Sequence, residues 1–226
     1  MTPALALYSD ESGGSGECWR ALAAVSGPAP ALDGLERELA GHARRHGVSD
    51  LKWSRVRTRR PRLEACRDFF HSARLAVERR DLCLDVLVWR ARPPLRRPAW
   101  RQERGEWEGM YARLLRTAAR RWEPGLWSFF PDQRTGLNWA GVLKKVNRSR
   151  RFQYSGFRPL PSAENHLVQL ADLVAGMARF SSARRPEGGG LIPATQNRLE
   201  LAREFGGLAR ITTLAPAASR GRKAGT

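Results

Sequence analysis

The sequence predicts an α/β protein in which a mixed β-sheet is flanked by helices. Three observations carry this. Apolar runs of strand length stand at 4–10, 81–89 and 126–132; longer stretches between them place apolar residues at helical spacing; and turn-forming residues punctuate the junctions. Strands alternating with helices argue for parallel neighbours, because a parallel pair needs a crossover connection. At 226 residues the chain is long enough for one sizeable core. We expect a single domain over 1–214 and a disordered basic tail at 215–226.

Taken in order, residues 3–9 alternate small and large apolar groups, meet the turn-rich DESGGSG, and resume in ECWRALAAVSG, the pattern of a β-hairpin with a Gly/Ser loop. Leu32, Leu35, Leu39 and Ala43 predict a helix over 31–46, and a second is expected over 61–80. Between them lies SDLKWSRV. DLCLDVLVW reads as a buried strand, and the ARPPLRRPAWR after it holds too much proline to continue a strand or helix, so it reads as a basic loop. Trp107, Met110, Tyr111, Leu114 and Leu115 predict a helix over 103–122 that leads into the strand LWSFFPD. A short helix at 137–147, a strand in FQYSGFRPL, a long helix over 163–183 and a short one in QNRLELAREFGG complete the order, with ARRPEGGG as a flexible loop.

A formal charge of +18 exceeds what solubility requires. It points to a polyanionic partner: nucleic acid first, an acidic membrane surface second. Cys18, Cys66 and Cys83 are odd in number and widely spaced, which supports neither a disulfide framework nor a structural zinc. No apolar run approaches the ~20 residues that span a bilayer, and the N-terminal segment lacks the basic start of a secretory signal. A cytoplasmic protein without a membrane partner is therefore expected.

Three carboxylates stand where apolar elements end or run deep: Asp10 closing ALALYSD, Asp132 closing LWSFFPD, and Asp172 inside HLVQLADLVAGM. A carboxylate against apolar neighbours is costly to keep charged without a cation or several donors. By the two-residue period Asp10 shares a face with Ala6 and Tyr8, and Asp132 with Ser128 and Phe130. If the two strands are parallel neighbours, both acids lie at the carboxyl edge where open α/β sheets place ligands. Asn165, Gln169, Asp172 and Gly176 form one polar seam along the long helix, and the glycine is expected to let that helix lie close to the sheet. Oxygen ligands without paired His or Cys favour Mg²⁺ or Mn²⁺ over zinc. In two-metal phosphoryl chemistry a bridging carboxylate holds the ions ~4 Å apart; Asp10 is the candidate bridge, with Asp132 and Asp172 on either side. Glu11 joins this set only if the chain turns after Asp10. DESGG is equally ordinary turn chemistry, and a buried Asp172 is also satisfied by an arginine.

At these same residues the chain resembles the bacterial domain-of-unknown-function family 3800. The matching features are the strand ending YSDESG, the segment Lys52–Trp53–Ser54 after the first helix, the mid-chain strand ending at Asp132, and QLADLVAG at 169–176. The resemblance spans about 4–180. It implies a ribonuclease-H-like mixed sheet with helical insertions and an acidic cluster similar to those of metal-dependent nucleases, in a defence or mobile-element context. The proline- and arginine-rich stretch at 91–101 and the basic tail depart from it.

KKVNRSRRFQYSGFR interleaves Lys144, Lys145, Arg148, Arg150 and Arg151 with Phe152, Tyr154 and Phe157, a pattern suited to gripping phosphates and stacking bases. The same residues also read as a solvated loop beside one face of a strand. Lys52 is a candidate for contacting a scissile phosphate, and His166 for moving a proton.

The function expected from these residues is a Mg²⁺- or Mn²⁺-dependent nuclease using Asp10, Glu11, Asp132, Asp172 and Lys52. The alternative is a nucleic-acid-binding or assembly protein that keeps the fold without cutting. An aspartyl-phosphate phosphatase normally wants a second Asp two residues after the first, where this chain has Ser12, and a glycosidase gives no reason for such basicity.

Overall fold

A computed structural model describes residues 4–14, 17–56, 60–91, 99–133, 136–147, 152–183 and 196–214. Strand β1 (Ala4–Ser12) and strand β2 (Trp19–Pro28) form the expected hairpin. Its loop passes through Gly13 at φ +113°, a backbone state that L side chains avoid, and a Cβ there would stand 2.8 Å from the Trp19 carbonyl oxygen. Helices α1 (Ala29–Arg45) and α2 (Arg60–Glu78) follow, with a 3-10 turn at Trp53–Arg55 between them, and lead to strand β3 (Cys83–Arg90). Helix α3 (Ala99–Ala119), strand β4 (Gly125–Pro131), helix α4 (Trp139–Val146) and strand β5 (Phe152–Phe157) come next. Helix α5 (His166–Ala183), helix α6 (Gln196–Phe205) and strand β6 (Arg210–Leu214) complete the order.

The six strands lie in the order β5-β4-β1-β2-β3-β6. β2 pairs antiparallel with β1 and β3, whereas β1–β4, β4–β5 and β3–β6 are parallel pairs. This is the α/β class expected: a ribonuclease-H-like mixed sheet flanked by helices, with α1 and α2 inserted between two antiparallel strands that a short turn would otherwise join.

Strand alternation divides the core. Ala6, Tyr8, Ala23 and Val25 face α1, α2, α5 and α6, while Leu5, Leu7, Leu22 and Ala24 face α3 and α4. Helix α5 is buried nearly all round, as a helix apolar on every side must be. Its first turn is held by Glu36, whose carboxylate accepts the backbone N–H groups of His166 (3.0 Å) and Leu167 (2.8 Å), and by the Asn165 side chain, which accepts from Val168 (2.9 Å).

Some boundaries differ from expectation. Helix α3 begins at Ala99, inside the stretch read as a basic loop, and 92–98 lie outside the described residues. Strand β6 was not anticipated: RITTL is short, partly exposed and marginal alone, and it becomes a strand by pairing with the edge of β3. The tail at 215–226 and most of the ARRPEGGG loop also lie outside the described residues. Among the described residues no helix is long and apolar enough to cross a membrane.

Candidate active site

The parallel pairing of β1 with β4 decides where two of the carboxylates go. Ser9 lies opposite Pro131, and the Asp132 backbone N–H donates to the Ser9 carbonyl at 2.9 Å. Asp10 and Asp132 therefore lie side by side just past the last paired residues of β1 and β4, at the same sheet edge, both buried. Helix α5 packs across β1 and β2 and delivers Asp172, half-buried, to the same place.

A fourth residue joins them from 42 positions away along the chain. Lys52 Nζ donates to Asp10 Oδ2 at 3.2 Å, with little of either side chain exposed. Burial works to lower the lysine pKa, but the charges of Asp10, Asp172 and Asp132 outweigh it and hold the ammonium group protonated. Burial, then the Asp172 charge, push the Asp10 carboxyl well above the usual carboxylate range; Lys52 opposes this, and Glu11 and Asp132 add to it. Burial also raises Asp172, against the pull of Lys52 and of the Trp53 backbone N–H. These acids thus form one electrostatic unit, with Lys52 as its internal cation.

The segment carrying Lys52 is clamped to α5 and α6. Leu51 N–H donates to Gln169 Oε1 (3.1 Å), Trp53 N–H donates to Asp172 Oδ2 (2.6 Å), and Gln169 Nε2 donates to the Ser162 carbonyl (2.8 Å). From α6 the buried Arg198 donates to the carbonyls of Trp53 (3.0 Å) and Ser54 (2.9 Å). Gly176 does not serve contact with the sheet, as the sequence suggested. It receives the Trp53 side chain, and a Cβ there would stand 2.3 Å from Trp53 Cγ.

Glu11 is placed differently from the other candidates. β1 continues to Ser12, so the chain does not turn after Asp10 and strand alternation sends Glu11 toward α3. There Tyr111 donates its hydroxyl to Glu11 Oε2 at 2.7 Å. His166 is also elsewhere: its Nδ1 lies 2.7 Å from Glu36 at the start of α5. Lys144 and Lys145 stand exposed on the last turn of α4, whereas Arg148, Arg150 and Arg151 lie outside the described residues. Gln169 and Arg198 were not singled out as site-builders from the sequence. Gln169 was visible only as part of a polar seam, and nothing distinguished Arg198 among 40 basic residues.

A divalent ion suits the chemistry of this donor set. Asp10, Asp132 and Asp172 offer oxygen alone, and Asp132 Oδ1 is buried without a hydrogen-bond partner among the described residues. The spacing is another matter: among the described residues no three His, Cys, Asp or Glu side chains stand close enough to cage an ion. The compensating charge at this edge is the Lys52 ammonium, which an entering ion has to displace or share.

No family model matches the chain. The sequence is similar to two archaeal proteins of Methanothermobacter thermautotrophicus, uncharacterized protein ORF2 and uncharacterized protein ORF2′. Each is 27% identical over 196 residues, 78% of this chain and 67% of the relative.

Proposed function

We propose that this chain is a divalent-metal-dependent nuclease that hydrolyses nucleic-acid phosphodiesters at Asp10, Asp132 and Asp172, a cytoplasmic protein akin to the domain-of-unknown-function family 3800. One observation carries the reading: three carboxylates, two from neighbouring parallel strands and one from a buried helix, act on one lysine at the sheet edge where α/β proteins place their ligands. The formal charge of +18 supports a polyanionic substrate.

Asp10, Asp132 and Asp172 are the residues that would hold Mg²⁺ or Mn²⁺, which when bound supplies charge neutralisation at the phosphate and acidifies a water. The rest belongs to the chain itself. The Trp53 N–H fixes the Asp172 carboxylate, so that its other oxygen is left for ligand. Lys52 has three donors on a flexible stem and can turn from Asp10 to a non-bridging phosphate oxygen. Gln169 and Arg198 hold the backbone on either side of that lysine.

The second reading is a nucleic-acid-binding protein that does not cut. The ammonium already seated among the acids favours it. Incubating the protein with labelled single-stranded, duplex and hybrid substrates in Mn²⁺, Mg²⁺ or chelator separates the two. The nuclease reading expects cleavage that chelator and Asp10→Asn each abolish while binding persists; binding without cleavage under every condition supports the second.

A further inference from the structure

Tyr154 and Phe157 are three residues apart in β5, a separation that in an unbroken strand sends side chains to opposite faces. The pairing of β5 with β4 slips between them: Tyr154 lies opposite Trp127, Gly156 opposite Ser128 and Phe157 opposite Phe129. Ser155 is thus the extra residue of a β-bulge, tied down by its hydroxyl donating to the Trp127 carbonyl at 3.0 Å. The bulge turns Tyr154 and Phe157 to one face, the side of Trp127 and Phe129, where α4 packs.

Between α4 and β5 this leaves an open cleft of about 740 Å³, lined by Trp139, Leu143, Lys144, Asn147, Tyr154 and Phe157. Trp139 is a rigid wall, backed by Tyr111 (4.7 Å between ring centroids) and Phe129 (5.3 Å) and leaning on Phe157 (5.4 Å). Tyr154 is 38% exposed, so its ring is free to meet a ligand. Lys144 lines the rim and Lys145 follows it, both on the last turn of α4. Offsetting the helix dipole explains lysines there, but not a bulge that gathers aromatic rings beside them.

We propose that this cleft stacks an unpaired base of single-stranded nucleic acid, with Lys144 on a flanking phosphate. Aromatic walls suit any base, and the cationic rim suits its backbone. In a duplex the base faces are already stacked, so the cleft selects single strands. A second copy of this chain fits poorly, because each copy brings a formal charge of +18. The inference rests on nucleic acid being the partner and does not require that the chain cut it.

The test is equilibrium binding of the full chain in chelator, by fluorescence anisotropy, to labelled oligothymidylate, to an abasic strand of equal length and to a duplex. Tyr154→Ala is expected to weaken oligothymidylate binding by about 5- to 100-fold and to leave the abasic strand within about twofold. Lys144→Gln is expected to weaken both strands alike and flatten the salt dependence. Irradiating the wild-type complex with a 5-iodouracil strand should cross-link the protein at Trp139, Tyr154 or Phe157, a readout independent of any variant. No effect of Tyr154→Ala, an equal loss on the abasic strand, a preference for duplex, or a dimer that Tyr154→Ala dissolves would each overturn the proposal. A chain that binds in this way yet never cuts with Mn²⁺ removes the nuclease reading and leaves the cleft standing.

Discussion

Lys52 Nζ stands 3.2 Å from Asp10 Oδ2, and the charges of Asp172 and Asp132 act on the same ammonium group. A pair this buried is held by mutual compensation, so removing one member leaves the other charge stranded. Lys52→Met should lower the melting temperature of the ion-free protein at neutral pH by about 6–12 °C, the shift that ~3 kcal/mol produces in a chain of this size. Millimolar Mn²⁺ should then restore more stability to the variant than it adds to the wild type. Differential scanning fluorimetry with and without Mn²⁺ reads both; an unchanged ion response in the variant would show that lysine and ion do not share a place.

Burial makes the charged form of the Asp172 carboxylate costly, and only the Lys52 charge and the Trp53 N–H work against that cost. Asparagine keeps an oxygen for the Trp53 N–H and removes the charge. Asp172→Asn should therefore raise the melting temperature of the ion-free protein by about 2–4 °C while abolishing any cleavage, the trade expected where function holds a residue in a costly state. A thermal melt beside a cleavage assay checks the two signs together.

The space at Gly176 is taken by Trp53, so a side chain there has nowhere to go. Gly176→Ala is expected to cost about 1–3 kcal/mol, a typical penalty for overfilling a packed contact. Because Trp53 follows Lys52 directly, the variant should also lose part of its Mn²⁺-induced stabilisation, whereas Leu75→Ala on the exposed side of α2 should not. Chemical denaturation with and without Mn²⁺ distinguishes local displacement from general weakening.

Cys66 is fully buried, and burial, followed by the charge of Asp172, pushes its thiol far above the usual range. A raised folded pKa contributes stability that is complete below the unfolded thiol's ~8.5 and is lost as pH rises beyond it, because only the unfolded chain then releases the proton. Stability should accordingly decline above that pH, and less steeply in Cys66→Ala measured against its own neutral value. Alkylation at neutral pH should label the exposed Cys18 and spare Cys66 until denaturant is added.

Much of the architecture was legible beforehand because it depends on local pattern. Leu32, Leu35, Leu39 and Ala43 marked α1, and all four are buried. The hairpin, β3, β4 and α5 were each visible as periodic or apolar runs, and Asp10, Asp132 and Asp172 stood out because a charged group in such a run is out of place. Glu11 stayed conditional on a turn after Asp10, because DESGG does not show on its own that the strand runs on to Ser12. RITTL was missed because a short, half-exposed strand exists only through its neighbour.

What the linear order of residues determined is which groups are costly alone: three acids among apolar side chains, a glycine in a buried helix, aromatic rings beside lysines. Which groups relieve that cost was decided in three dimensions. Lys52 meets Asp10 because α1 and α5 pack on one face of the sheet; Trp53 fills Gly176 because α5 lies over β1; Tyr154 and Phe157 face one way because a single residue bulges from β5. Periodicity is a property of near neighbours, whereas charge compensation and close packing join residues that only the folded chain brings within reach.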